Sequence, residues 1–77
     1  MLPVQCRMAR SALGLKIAEL ATLAKMSTNT IVRFESGKEL KQSTIDDLRA
    51  VLEEAGIIFI SENGEGPGVR LKKQTPR

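Results

Sequence analysis

The sequence contains no histidine, tryptophan or tyrosine and only one cysteine, Cys6. Without histidine, imidazole catalysis and histidine-containing metal sites are excluded, and a single thiolate cannot complete the usual cysteine zinc site. A lone cysteine also cannot cross-link the chain, which is typical of a reducing compartment. We interpret Cys6 as a small core residue rather than a redox-active thiol, and we expect neither a metal nor another cofactor.

Long apolar stretches are also missing. No run of about 18 apolar residues is present to span a membrane, and the N-terminus lacks the basic and apolar segments of a secretion signal. We therefore expect a cytoplasmic protein without a membrane partner. The 77 residues, 42% of them hydrophobic and only two of them aromatic, predict one small domain with an aliphatic core.

No residue pattern typical of an enzyme is evident. Two acidic pairs, Asp46 with Asp47 and Glu53 with Glu54, fall on the outer face of a predicted amphipathic helix. Such pairs are far more often exposed to solvent than engaged in acid–base catalysis. The sequence therefore predicts a binding protein rather than an enzyme.

Charge is distributed unevenly along the chain. Residues 1–41 carry seven Lys or Arg and three acidic residues, and residues 42–66 carry one Arg and six acidic residues. Residues 67–77 carry four basic residues and no acid. A basic first half is expected if one face of the protein meets phosphates, although an ordinary solvated surface is the alternative.

The strongest pattern lies in residues 17–37. Apolar residues recur there with the spacing of one helical face, at Ile17, Leu20, Ala21 and Ala24. Ser27 is suited to begin a second helix as its N-cap. Residues 25–27 are too few for two helices to lie side by side, so the helices must cross steeply and leave the polar face of the second one free. This is the arrangement of a helix-turn-helix that binds DNA.

At these positions the sequence resembles the helix-turn-helix domains of the Cro and phage-repressor type, the xenobiotic-response-element (XRE) family. The resemblance covers about residues 5–56 and includes Ala21, Ile31 ten residues later, the run at residues 33–37, and the upstream residues 9–10 and 13–15. It implies a mainly α, lambda-repressor-like DNA-binding domain of four helices.

Two positions depart from the family pattern. Lys25 stands where the turn usually has glycine, and a positive φ is disfavoured for other residues. Either Lys25 accepts this strain or the corner differs locally. Ile17 stands where many relatives have a glutamine that touches a phosphate, so that contact is not expected here.

Arg10 falls on the inward stripe of the first predicted helix, where an unpaired charge is strongly unfavourable. Glu35 lies one turn beyond Ile31, on the inward side of the third helix, and is the natural counter-ion. The family resemblance implies the same pairing, because such a bridge recurs between helices 1 and 3. The alternative is two unrelated surface charges.

Four helices are predicted, at about residues 4–12, 16–24, 28–36 and 43–55. Ser43 or Thr44 is expected to cap the fourth helix, with Asp46 or Asp47 completing a capping box. Residues 57–60 and 69–72 have the composition of two strands around a glycine-rich loop. We therefore predict a helix-turn-helix domain over residues 1–56, a β-hairpin over residues 57–73 and a disordered tail over residues 74–77.

The third helix is predicted to enter the major groove of DNA with its N-terminal half toward the base edges. Its candidate base contacts are Thr28, Asn29, Val32 and Arg33. Asparagine can bind adenine and arginine can bind guanine through two hydrogen bonds each, and a valine can contact a thymine methyl. Candidate phosphate contacts, which set position without specifying sequence, are Lys16, Ser27, Thr30, Lys38 and Lys41. The alternative is a merely solvated helix face.

These patterns together predict a sequence-specific transcription regulator, in particular a repressor, that binds double-stranded DNA. The alternative from another class is a protein-interaction module, such as an antitoxin-like or adaptor subunit, that keeps the fold without binding an operator. Salt-dependent DNA binding separates the two.

The first predicted strand is more apolar than one covered face requires, and an isolated hairpin is marginal in water. We therefore predict a homodimer in which a second copy covers the hairpin and two helices occupy adjacent half-sites. The predicted dimer contacts are Ile57, Ile58, Phe59, Ile60, Val69 and Leu71. The alternative is that helices 1 and 4 of the same protomer cover both faces.

Overall fold

The computed structural model describes residues 1–73. Its elements in chain order are α1 (Pro3–Ala12), α2 (Ile17–Ala24), α3 (Thr28–Glu35), α4 (Gln42–Glu54), β1 (Ile57–Ile60) and β2 (Gly68–Leu71). The two strands form an antiparallel hairpin in which Ile57 pairs with Leu71 and Ile60 with Gly68. This mainly helical architecture with a C-terminal hairpin confirms the class predicted from the sequence. The predicted disordered tail, residues 74–77, lies outside the described residues.

One apolar core connects the helices and the hairpin. Its buried side chains come from all four helices and from β1, and they are Cys6, Ala9, Leu20, Ala21, Ile31, Phe34, Leu48, Leu52 and Ile57. Burial of a large aliphatic side chain stabilises a protein by about 1.5–3 kcal/mol, so the shared core, rather than any single helix, holds the fold. Because Ile57 belongs to this core, the hairpin is packed onto the helices.

Gln5 attaches the hairpin to α1 by hydrogen bonds. Its Nε2 donates to the carbonyl oxygens of Ile60 and Gly68, both at 3.0 Å, and its Oε1 accepts from the Leu2 backbone N–H at 2.8 Å. Gln5 is buried, and partners of this kind remove the penalty of burying a polar amide. This role of Gln5 was not predicted from the sequence.

The predicted start of α4 is wrong. The helix begins at Gln42 after Lys41 as N-cap, and neither Ser43 nor Thr44 caps it. Leu40 and Ile45 occupy the two positions of a hydrophobic staple around this start, and both pack against the core. Their packing therefore sets where α4 begins. Asp46 closes no capping box and instead accepts from Gln42 Nε2 at 2.8 Å.

The corner between α2 and α3 keeps the left-handed geometry that favours glycine. Within residues 1–73, Lys25 is the only non-glycine residue with a positive φ, at φ 55° and ψ 43°. The left-handed conformation costs a residue with a Cβ atom about 1–2 kcal/mol. Lys25 therefore accepts the strain, and the corner does not deviate locally.

Replacement of Lys25 by glycine should raise the free energy of unfolding by about 0.5–1 kcal/mol. The relief of left-handed strain exceeds the extra backbone entropy that glycine adds to the unfolded chain. Urea denaturation checks this, with Lys38→Gly as a control, since Lys38 is exposed and its φ is not positive. The control should be destabilised. Equal destabilisation of both variants would contradict a strained corner.

Candidate nucleic-acid interface

α3 has one buried and one exposed face. Ile31, Phe34 and Glu35 are buried, and Ile31 and Phe34 share the core with Leu20 and Ala21 of α2. At about 100° per residue, these three side chains cover roughly one third of the helix circumference. The core therefore fixes the orientation of α3, and the opposite side of the helix faces solvent.

Of the four candidate base contacts, Asn29, Val32 and Arg33 lie toward this solvent side, and Thr28, seven residues before Glu35, lies at the flank of the buried face. Their backbone positions span an arc of about 140°, and each residue is exposed: Thr28, Asn29, Val32 and Arg33. Within residues 1–73 their side chains make no hydrogen bond or salt bridge to the rest of the chain. The exposed fraction of Val32 is 46%, high for an aliphatic residue. This face therefore presents hydrogen-bonding groups and one apolar side chain, and none of these polar groups has a partner within the described part of the chain.

The N-terminal end of α3 is capped as predicted. Ser27 Oγ accepts from the Thr30 backbone N–H at 3.1 Å and lies 2.8 Å from Thr30 Oγ1. Such a cap stabilises a helix by about 1 kcal/mol. Ser27 remains exposed, whereas Thr30 is half-buried. The Thr30 hydroxyl therefore serves mainly to hold the N-terminal cap of α3 and not to contact DNA.

The three candidate phosphate-binding lysines stand at helix ends. Lys16 is the N-cap of α2, where its N–H donates to Glu19 Oε1 at 2.8 Å, and Lys41 is the N-cap of α4. Lys38 is held at the end of α3, because its N–H donates to the Arg33 carbonyl oxygen at 2.9 Å. All three residues are exposed, and none forms a salt bridge within residues 1–73. Of the three, Lys38 is the one bonded directly to α3.

Arg10 and Glu35 form the predicted ion pair between α1 and α3. Arg10 Nη2 lies 2.9 Å from Glu35 Oε1, and Arg10 Nε lies 2.9 Å from Glu35 Oε2. The Glu35 side chain is 7% exposed and that of Arg10 is 22% exposed. The hydrogen bond to Glu35 raises the pKa of Arg10. A further bond from Arg10 Nη1 to the Leu15 carbonyl oxygen, at 3.3 Å, joins the α1–α2 turn to the same pair.

Two further groups around Glu35 were not predicted from the sequence. Arg7 Nη1 donates to the Glu35 backbone carbonyl at 3.1 Å, which places a cation at the C-terminal end of α3, where the helix dipole favours it. Cys6 Sγ lies 3.5 Å from Glu35 Oε2. Burial, followed by the negative charge of Glu35, raises the pKa of Cys6 to about 12, so the thiol stays neutral at physiological pH. The position of Arg7, one turn before Arg10 on α1, is the signal that could have identified it.

The residues predicted to form a dimer divide into two groups. Ile57 is 3% exposed in the core of its own protomer, and Phe59 and Val69 pack against that core. The Ile57 side chain is therefore not free for a second copy, and those of Phe59 and Val69 are partly covered by the same protomer. Ile58 and Leu71 are 40% and 46% exposed, and Ile60 is half-buried.

Neither a metal-binding cluster nor a membrane-spanning helix is present among the described residues. Over residues 1–73, no group of three or more His, Cys, Asp or Glu side chains is placed to hold a metal ion. Among the same residues, no helix has both the length and the apolarity needed to cross a membrane. Comparison of the chain with protein-family models and with curated proteins gives no match.

Proposed function

We propose that this protein is a sequence-specific DNA-binding regulator of transcription, a repressor with a lambda-repressor-like, XRE-type helix-turn-helix. The observation that carries the proposal is the exposed, uncommitted face of α3 opposite a face fixed in the core. A helix held in this way can enter the major groove of B-DNA, which accommodates one α-helix. Binding at a promoter would then exclude other proteins from that DNA.

Within this proposal the side chains of α3 have distinct roles. Asn29 presents one donor and one acceptor that match the N6 and N7 atoms of adenine, and Arg33 presents paired donors that match O6 and N7 of guanine. Val32, 46% exposed, would contact a thymine methyl. Thr28, at the start of the helix, would bind a neighbouring base edge or phosphate.

The ion pair between Arg10 and Glu35 holds α3 against α1 and so orients its exposed face. Glu35 is the last residue of α3, and Arg10 and Arg7 connect it to α1 through its carboxylate and its backbone carbonyl. These contacts fix the rotation of α3 about its axis, and this rotation decides which side chains face the bases. Arg7 bonds a backbone carbonyl and not an acidic side chain, so it also adds positive charge beside α3, which favours approach to phosphate.

Replacement of Lys38 by alanine should weaken binding to all duplexes by a similar factor, because one phosphate contact is lost. It should also lower by about one the slope of the logarithm of the binding constant against the logarithm of the salt concentration. Fluorescence anisotropy on two unrelated duplexes at four salt concentrations measures both quantities. Lys72→Ala is a matched control, since Lys72 is an exposed lysine beyond β2. It should leave the slope unchanged. An equal loss of slope in both variants would argue against a contact specific to Lys38.

A second candidate is a protein-interaction module, and one observation favours it. Leu23 on α2 is 52% exposed and, with Val51, Glu54 and Ala55 of α4, lines a groove of about 330 Å³. The same anisotropy titrations decide between the candidates. Binding that weakens steeply with salt supports the DNA-binding function, and the absence of binding to any duplex at low salt supports the interaction module.

A further inference from the structure

Asn63 lies in the loop between β1 and β2 and is followed directly by Gly64. Both residues are exposed. The side-chain amide of an asparagine has an electrophilic carbon, Cγ, which the backbone nitrogen of the next residue can attack to close an imide ring. A side chain on that next residue obstructs the attack, and glycine has none. The pair Asn63–Gly64 is therefore the sequence arrangement that favours this reaction most.

The loop holds the Asn63 side chain in a position suited to this attack. Asn63 Oδ1 accepts a long hydrogen bond, at 3.4 Å, from the Glu65 backbone N–H. This bond makes an Asx turn, in which the side-chain carbonyl folds over the following peptide unit. The turn brings Cγ toward the Gly64 nitrogen. The same bond stabilises the negative charge that develops on Oδ1 when Cγ is attacked.

The Glu62 carboxylate is placed to accept the proton that the Gly64 nitrogen must lose. Glu62 Oε1 accepts from the Gly64 N–H at 2.7 Å and from the Gly66 N–H at 2.8 Å. The hydrogen bonds from Gly66 and then Gly64 lower the pKa of Glu62, so this side chain is ionised at physiological pH. A charged acceptor at this distance makes a strong hydrogen bond and is within reach for proton transfer. The base, the electrophile and the nucleophile thus lie on three consecutive residues.

We propose that Asn63 is a site of intramolecular deamidation for which Glu62 is the general base. The Gly64 nitrogen gives its proton to the Glu62 carboxylate as it forms a bond to Asn63 Cγ. The tetrahedral intermediate then breaks its bond to the side-chain nitrogen, which takes the proton from Glu62 and leaves as ammonia. Water opens the resulting imide ring and gives aspartate or isoaspartate at position 63. Each event adds one negative charge to the loop, between Glu62 and Glu65.

Asn29, the other asparagine of the sequence, lacks these features. It is the second residue of α3 and is followed by Thr30, whose branched side chain obstructs the attacking nitrogen. The Thr30 N–H donates to a hydroxyl, Ser27 Oγ, at 3.1 Å, and not to a carboxylate. We therefore expect Asn29 to stay intact while Asn63 reacts. The reaction leaves the proposed DNA-binding face of α3 unchanged, and it is measured without DNA.

Prolonged incubation of the intact chain at physiological pH and temperature tests the proposal. Mass spectrometry of proteolytic fragments, prepared at intervals, measures the conversion of amide to carboxylate at each asparagine. We expect first-order conversion of Asn63 to a mixture of aspartate and isoaspartate, and no conversion of Asn29. If Asn63 stayed intact for as long as Asn29, the proposal would be overturned.

Two variants test the role of Glu62 as the base. The amide of Glu62→Gln can still accept the bonds from Gly64 and Gly66 through its oxygen, but it is not a base. This variant should deamidate at Asn63 about ten-fold more slowly or slower still. Glu65→Gln is the matched control, because it removes the same charge from the same loop, and the Glu65 carboxylate accepts no hydrogen bond within residues 1–73. It should react at the unaltered rate. An unchanged or faster rate in Glu62→Gln, or equal slowing of both variants, would overturn the role of Glu62.

Discussion

Replacement of Glu35 by glutamine should lower the free energy of unfolding by about 3–5 kcal/mol, because the Arg10 charge then loses its counter-ion. Glu35 is nearly buried and accepts hydrogen bonds from Arg10 Nε and Nη2 and from Cys6 Sγ. A neutral amide cannot accept both guanidinium bonds without turning its own N–H groups toward donors. Because small domains have only about 5–15 kcal/mol of stability, this single change can leave a large part of the protein unfolded.

Urea denaturation followed by circular dichroism measures this loss. The matched control is Glu53→Gln, which removes the exposed ion pair between Arg49 and Glu53, 3.3 Å apart with side chains 42% and 48% exposed. Exposed pairs of this kind contribute at most about 1 kcal/mol. The control should therefore denature almost as the unaltered protein does. Equal midpoints for Glu35→Gln and the unaltered protein would show that the ion pair does not support the fold.

The double variant Arg10→Met with Glu35→Leu removes both charges of the ion pair. It therefore distinguishes the cost of leaving one buried charge without a partner from the net contribution of the pair to stability. Buried ion pairs are often replaced by apolar residues of similar volume with little loss of stability. We therefore expect the double variant to be more stable than Glu35→Gln alone. Its DNA binding should nevertheless be weaker than that of the unaltered protein, because the hydrogen bonds from Arg10 that fix the rotation of α3 are lost.

Replacement of Arg33 by alanine should weaken binding to the preferred DNA sequence by about 1–3 kcal/mol, a five- to 150-fold loss, and relax discrimination at one base pair. Arg33 is exposed and its side chain has no partner within residues 1–73, so the fold should be unaffected. This result differs in kind from that of Lys38→Ala, which should weaken binding to every sequence alike.

Titrations of the preferred duplex and of single-base variants measure the effect of Arg33. Arg70→Ala is the matched control, because Arg70 is an exposed arginine that belongs to β2 and not to α3. It should preserve both affinity and discrimination. If Arg33→Ala bound every duplex as the unaltered protein does, the placement of α3 in the major groove would be wrong.

The features that the sequence predicted well are those set by local patterns. Ser27 caps α3 and the apolar spacing of residues 17–24 forms α2, because capping and helical periodicity act over one or two turns. Arg10 and Glu35 were also paired correctly, because a charge on an inward stripe needs a partner.

The features that it did not predict depend on tertiary packing. Gln5 is buried only because the hairpin brings two carbonyl groups to it, and nothing within α1 indicates that. The hydroxyls of Ser43 and Thr44 suggested a cap, but packing of Leu40 and Ile45 against the core starts α4 earlier. The apolar strand β1 was interpreted as dimer contacts, whereas Ile57 fills the core of its own protomer.

Selection of bound duplexes from a pool with a randomised central segment tests the central claim most directly. The protein is mixed with the pool at low salt, bound DNA is recovered at increasing salt, and the enriched sequences are compared between the unaltered protein and Arg33→Ala. We predict one enriched motif that contains a guanine on which selection depends, and loss of that preference in the variant. Recovery of DNA without any sequence enrichment, or no recovery at low salt, would contradict sequence-specific binding by α3.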